Sequence, residues 1–370
     1  MIQFTTLLAM RSSRHRRPFS RNIVRPLDQN IPQSRVASTL KGSILVTGAN
    51  GGLGSAFVAN FVSSPEAHAL KAIIDKAPVD IKIEVLQFDL GSLEAVRTVA
   101  ADINERVTNG TLEPIRVLIL NAAYQDASAA ALKPGAFTKE GFEMAFGAND
   151  LANFVFVLDI LQSMDKEHGR IVFVSSWTHD SYDPQNDTPP IYKGEEFMTM
   201  FTSAEALSRG IEYTDDGWAS GMRRYGASKL LGVMWMYELQ RQLNSDPVLS
   251  NISILSMDPG AMGGTGITKR SPLFIRFITG WLIPLFQHVA VWLSPNGFLR
   301  PTWKSAQDLM LASFDENYLG KHPKAVYLNG SVNAESSAES RDEEKQKQLW
   351  TESVKLAMIR DGETALKNWK

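Results

Sequence analysis

SILVTGANGGLGSAFVANFVS, residues 43–63, is the stretch whose reading decides the fold. Ser43–Val46 is a short apolar run of the kind that forms a buried strand, and Ser55–Ser63 follows as a helix. Between them lies a T-G-x-x-x-G-x-G turn, Thr47-Gly48-Ala49-Asn50-Gly51-Gly52-Leu53-Gly54. Glycine is needed where a backbone turns tightly and lets a phosphate approach, and a helix N-terminus adds free N–H groups and partial positive charge. A glycine-rich string alone is a weak signal. Its place between a strand and a helix makes it a dinucleotide-binding turn, with Thr47, Gly48, Asn50, Gly52, Leu53 and Gly54 as its contact residues.

Outward from that turn, short apolar runs alternate with longer helical patterns. Ala72–Ile74, Ile83–Gln87, Val117–Leu120, Ile171–Val174, Ile252–Ser256 and Ala325–Leu328 read as strands, with amphipathic stretches such as Leu93–Val107 and Phe142–Met164 between them. This order implies right-handed βαβ units: a Rossmann-type, doubly wound parallel α/β sheet with helices on both faces. No Pro/Gly linker divides the chain, so residues 41–370 form a single domain. Its tail, residues 340–370, is helical, with Ser340 and Glu343 as a capping box.

Asp75 ends the second strand, 21 positions after Gly54. An acid there would hydrogen-bond an adenosine ribose and repel a 2′-phosphate, which favours NAD over NADP; Lys71 and Lys76 nearby pull the other way.

The 370-residue chain has a formal charge of −2, which argues against an extended nucleic-acid surface. It contains no Cys, which excludes disulfides, thiolate nucleophiles and Cys-based metal sites; no metal is expected. Residues 1–40 differ from the rest: seven Arg face a single acid, Asp28. That is the pattern of a mitochondrial transit peptide or of a disordered basic extension, so the location is either cytoplasmic or mitochondrial. The apolar run Phe277–Leu293 is broken by Gly280, Pro284, Gln287 and His288 and falls short of the ~20 apolar residues of a spanning helix. It reads as a buried or membrane-touching segment rather than a transmembrane span.

Tyr225 and Lys229 stand at i and i+4 of a helical stretch, so both can point into one cleft. An ammonium beside a phenol favours the phenolate and lowers the Tyr pKa toward the working range. Such a Tyr can exchange a proton with a carbonyl or carbinol oxygen while a hydride moves to or from nicotinamide.

Taken together, these pieces resemble the short-chain dehydrogenase/reductase superfamily. The glycine turn, Asp89-Leu90, Leu120-Asn121-Ala122-Ala123, Asn149, Val174-Ser175-Ser176, Tyr225/Lys229 and Pro259-Gly260 occur in family order over residues 42–330. The resemblance implies that Ser176 hydrogen-bonds the substrate oxygen, that Tyr225 is the general acid or base, and that Lys229 tunes it and binds ribose. Asn149 would hold a water leading from Lys229 to solvent. Asp89 and Leu90 would lie at the adenine, Asn121 and Ala122 beside the cofactor, and Pro259, Gly260 and Thr265 at the carboxamide. SSWTHD, GMRRYGASK, MDPGAM and VYLNG are similar to a fungal branch associated with secondary metabolism, and members often form homo-oligomers.

Two features depart from the family pattern. Tyr124 follows Ala123 where many members have Gly, and Ser176 lies 49 positions before Tyr225, an unusually long interval. The inserted segment 177–224 carries Trp177, Tyr182, Tyr192, Phe197, Phe201, Tyr213 and Trp218; it is either a lid with aromatic walls or an ornament with its own small core. His179-Asp180 does not make a hydrolase of Ser176, because no G-x-S-x-G elbow is present. The expected activity is interconversion of a secondary alcohol and a ketone on a small, bulky lipophilic molecule, with Pro272–Leu293 capping it. The alternatives are a C=C reductase using the same Tyr, and a non-catalytic dinucleotide sensor or scaffold.

Overall fold

The computed structural model describes residues 5–12, 42–62, 81–126, 136–187, 190–211, 217–367 and 369. In chain order the elements are β1 (Thr5–Ser12), β2 (Ser43–Thr47), α1 (Gly52–Val62), β3 (Ile81–Phe88), α2 (Leu93–Thr108) and β4 (Ile115–Leu120). A π-helical turn, Phe146–Leu151, leads into α3 (Ala152–Ile160), followed by β5 (Arg170–Val174), α4 (Ala204–Arg209), α5 (Gly217–Ser245) and β6 (Ser253–Asp258). The last elements are α6 (Leu273–Phe277), α7 (Ile283–Leu293), α8 (Thr302–Phe314), β7 (Val326–Asn329), β8 (Val332–Asn333) and α9 (Glu343–Leu356).

Among the described residues the strands form one sheet in the order β3-β1-β2-β4-β5-β6-β7-β8. From β2 to β7 every pairing is parallel. Period-two alternation divides each of these strands between two cores. Leu45, Leu118 and Phe173 face the layer of α2, α3, α5 and α9, whereas Val46, Ile119 and Val172 face α1 and α8. Burying each such side chain contributes about 1.5–3 kcal/mol, which is why the strands read as continuous apolar runs.

Two expectations need correction. Thr5–Ser12, set aside within the basic extension, form a strand that pairs antiparallel with both β2 and β3. The exposed edge of β2 carries unpaired N–H and C=O groups, and β1 satisfies them. The strand expected at Ala72–Ile74 and the residue Asp75 lie outside the described residues. At the other end, Ser340 is buried in a 3-10 turn bonded to Ser336 and Ser337, and Asp342 caps α9 instead, accepting from the N–H groups of Glu344 and Lys345. The tail then closes over the sheet: Trp350 meets Phe154 edge-on at 4.9 Å and donates from its indole to Trp369 O.

Candidate active site

The glycine turn is held from β4. Thr47 Oγ1 accepts from the N–H groups of Asn121 (2.9 Å) and Ala122 (3.0 Å), while Asn121 Nδ2 donates to the carbonyls of Thr47 and Gly48. Gly48 has φ +66°, a left-handed conformation that glycine adopts without strain. A Cβ on Gly54 would overlap Gly48 O and lie 2.9 Å from Ala49 Cα. Asn50 and Gly51 are exposed at the tip, and the first turn of α1 carries no acid. This cradle fits a dinucleotide pyrophosphate: bare backbone, a helix N-terminus and no opposing charge.

Other expected contact residues take up different tasks. Leu53 and Leu90 are buried in the two cores, so their side chains pack helix and strand ends rather than face the cleft. Asp89 Oδ1 accepts from Gly91 N–H at 2.8 Å, and β1 stands between its strand and β2 in the sheet. Thr265 does reach the turn, because a Cβ on Gly52 would lie 2.9 Å from its methyl. Pro259 O accepts from Ser305, and Gly260, at φ +71°, donates its N–H to Asp258 Oδ1.

Tyr225 and Lys229 both lie in α5, on the side laid over the C-terminal end of β5. Lys229 Nζ donates to Val174 O at 2.7 Å and stands 5.5 Å from the Tyr225 ring centre. A Cβ on Gly226 would come within 2.5 Å of Thr178 O, so the helix rests on the turn that follows Ser176. Ser176 Oγ accepts from Thr178 N (3.3 Å) and Thr178 Oγ1 (3.0 Å), which leaves its own proton for an outside acceptor. Ser175 Oγ is buried without a partner among the described residues. Hydrogen bonding, not burial, separates the two serines.

The electrostatics differ from expectation in one respect. Burial, reinforced by the carboxylate of Asp258, pushes the Tyr225 phenol up rather than down. Burial also lowers Lys229 to about 7, against the opposing pull of Asp258. In the protein by itself, then, the proton stays on Tyr225, and Lys229 is the group that titrates near neutrality. A lowered Lys means that the folded state binds fewer protons than the unfolded state from pH 7 up to the ordinary Lys value. Wild-type stability therefore gains with pH in that window relative to Lys229→Met. Urea melts of the two should converge or cross by up to about 1.4 kcal/mol per pH unit; parallel curves would remove the shift.

Asn149, in the π-helical turn, positions its neighbours. Its amide donates to Tyr124 O and Ser228 Oγ, its Oδ1 accepts from Tyr124 N–H, and its own carbonyl accepts from Asn153 Nδ2 at 2.7 Å. A relay water would have to share that carbonyl. Burial pushes Tyr124 itself up to about 12, and Arg270 lies 4.8 Å over its ring.

The inserted segment works in two directions. Ile191, Tyr192, Trp218 and Met222 pack with Ala123 and Ile267 around Tyr225. Met200 and Phe201 instead join the main core, where their N–H groups are held by Glu339 of the tail. Tyr182 is exposed, and Tyr213 lies outside the described residues. Pro272–Leu293 contributes nothing to the Tyr225 cluster: most of its apolar side chains are exposed, Ile283 and Pro284 lie against Gly263, and Ile267, ahead of it, is the neighbour that joins that cluster.

Sequence reasoning passed over three positioning residues. His179 is buried and neutral, since burial lowers its pKa. Its Nδ1–H donates to Ser176 O at 2.8 Å, and its Nε2 accepts from Ser337 N–H at 3.0 Å, tying the serine to the tail. Asp258 sets the field at Tyr225 and Lys229. Arg300, 1% exposed, donates to Asp258 O, Asn296 O and Asn329 Oδ1 and so fixes the Pro259-Gly260 turn. No local pattern marks these residues as positioning groups, because each role also needs a partner distant in sequence: Ser337 for His179, Tyr225 and Lys229 for Asp258, and Asn329 for Arg300.

The short chain dehydrogenase family profile matches residues 43–186. Short-chain dehydrogenase iccH of Talaromyces variabilis is 38% identical over 369 residues, covering 89% of this chain and 99% of that protein. Protochlorophyllide reductase B, chloroplastic, of Oryza sativa subsp. japonica is 26% identical over 337 residues, covering 87% of this chain and 78% of that one. A solved structure of an uncharacterized protein from Mycobacterium paratuberculosis aligns over 84% of this chain and 91% of its own, at 21% identity and TM-score 0.49. With the near-full-length match to a named dehydrogenase added to the glycine turn and the Tyr225/Lys229 pair, this chain belongs to the short-chain dehydrogenase/reductase family and is an NAD(P)-dependent oxidoreductase.

Proposed function

We propose that the chain interconverts a secondary alcohol and the matching ketone on a bulky lipophilic substrate, in secondary metabolism. The observation that carries this reading is the setting of Tyr225: a proton-bearing phenol, 8% exposed, among Ile191, Met222, Trp218 and Ile267. Apolar walls around one convergent polar group suit an apolar substrate with a single reacting oxygen.

The nicotinamide supplies or takes the hydride when bound. In the reducing direction, Tyr225 Oη gives its proton to the carbonyl oxygen as the carbon is reduced, and Ser176 donates a second hydrogen bond to that oxygen. Lys229, poised at about 7, returns a proton toward the phenolate; in the oxidising direction each transfer reverses. Thr47, Gly48, Asn50, Gly52 and Gly54 would hold the pyrophosphate, with Thr265, Pro259 and Gly260 at the carboxamide end. NAD is the preferred form on the strength of the position of Asp75 in sequence.

Titration with NADH and NADPH, read by energy transfer from tryptophan, tests the cofactor half, and NADH should bind more tightly. Asp75→Ala should narrow the difference; an unchanged ratio sinks the assignment. A screen of lipophilic ketones and conjugated enones, followed by oxidation of NADH, tests the chemistry. Turnover of enones alone would replace carbonyl reduction by C=C reduction.

A further inference from the structure

The helical segment Leu273–Leu293 leaves most of its apolar side chains facing solvent. Leu273, Phe274, Trp281, Leu285, Val289 and Trp292 on its outer side are 58–80% exposed. On the side turned to the protein, Ile283 and Pro284 lie against Gly263 and Val291 is buried, beside two polar groups: Thr279 Oγ1 meets Thr268 Oγ1 at 3.0 Å, and Gln287, 7% exposed, accepts from Gly263 N–H. An ordinary surface helix keeps its outer side polar, and this one does not. Phe277 and Phe286 are exposed as well, which makes five bare rings in the segment. Rings of about 150–250 Å² each, with aliphatic residues between them, exceed the roughly 300–600 Å² of the largest apolar patch on a typical monomer.

By length and composition the segment could cross a bilayer: 21 residues at about 1.5 Å each reach roughly 30 Å. The fold forbids it. β6, which precedes the segment, and β7, which follows, pair side by side in one sheet, and a single crossing would put them on opposite sides of the membrane. The segment therefore lies along a surface.

Charge identifies that surface. No Asp or Glu occurs between Asp258 and Asp308, while Lys269, Arg270 and Arg276 stand at the N-terminal edge of the segment. Two copies of this face related by a twofold axis would be self-facing and would bring like charges to a shared rim. An anionic lipid surface offers both an apolar interior for the rings and negative headgroups for the basic edge.

We propose that Leu273–Leu293 docks this protein in the plane of an anionic bilayer, with Trp281 and Trp292 at headgroup level. The connection from Gly260 to Ser271 ties this face to the reaction site, for it carries Thr265 to the glycine turn and Ile267 to the Tyr225 cluster. On the oxidoreductase reading above, a lipophilic substrate concentrated in the membrane would meet the enzyme at that mouth.

The test is flotation of the full chain with vesicles of phosphatidylcholine alone and with about one-third phosphatidylserine. Binding to the anionic vesicles, weakened by salt, is expected. A Trp281→Ser/Trp292→Ser double variant should lose at least about tenfold in binding with its thermal melt unchanged. Lys269→Gln and Arg276→Gln should each lose about fivefold on anionic vesicles only. No flotation with either vesicle would overturn the proposal, as would a homodimer in solution that the Trp variants dissociate. Equal binding to neutral vesicles would overturn the anionic assignment. None of these outcomes depends on turnover, so failure here leaves the oxidoreductase reading to its own test.

Discussion

Tyr225→Phe should cut turnover by about 10²–10⁴-fold while leaving NAD(P)H affinity within about twofold of wild type. The substitution removes one oxygen and its proton and keeps the ring that packs with Ile191 and Met222, so the wall of the pocket survives. Because burial and Asp258 hold the proton on the phenol, the lost group is the acid itself rather than a packing element. The measurement is single-turnover oxidation of bound NADH with a ketone identified in the screen. Undiminished turnover with intact cofactor binding would remove Tyr225 from the chemistry. In that case Ser176, whose proton is also directed outward, becomes the acid to test.

Gly54→Ala should weaken cofactor binding by about two orders of magnitude, near 3 kcal/mol. The added methyl would overlap Gly48 O and press on Ala49 Cα, both of them backbone atoms that no side-chain rotation can move aside. Relief requires the turn to open, and that separates Asn121 from the two carbonyls it holds and widens the cradle at the α1 N-terminus. Energy transfer from tryptophan to NADH reads the affinity, and circular dichroism checks that the sheet is retained. An affinity equal to wild type would mean that the cofactor phosphates do not sit in this turn.

Much of the architecture is legible in the amino-acid sequence. The runs at Val117–Leu120 and Ile171–Val174 are strands because both of their faces are buried, a condition that composition alone signals. Element ends were less legible. Asp342 rather than Ser340 caps α9, because Ser340 is drawn into the buried cluster with Ser336 and Ser337, a contact with no local signature. Thr5–Ser12 gave no sign of joining the sheet. An Arg-rich leader outweighed eight residues whose strand exists only because β2 and β3 offer free edges to it.

The site divides along the same line. Local sequence determined the glycine turn, since tight backbone geometry admits only glycine, and it determined the Tyr225/Lys229 pair, since a helix places i and i+4 together. Tertiary structure decided the rest. It set the direction of the Tyr225 shift through burial and through Asp258 from β6, and it tied Ser176 to the tail through His179. It gave Asn149 to Tyr124 and Ser228, and it turned the apolar face of Leu273–Leu293 outward. Dielectric environment, hydrogen-bond partners and the side of a helix that meets solvent are properties of residues brought together from across the chain. Spacing within one segment fixes what a side chain can reach, and only the assembled fold fixes what surrounds it.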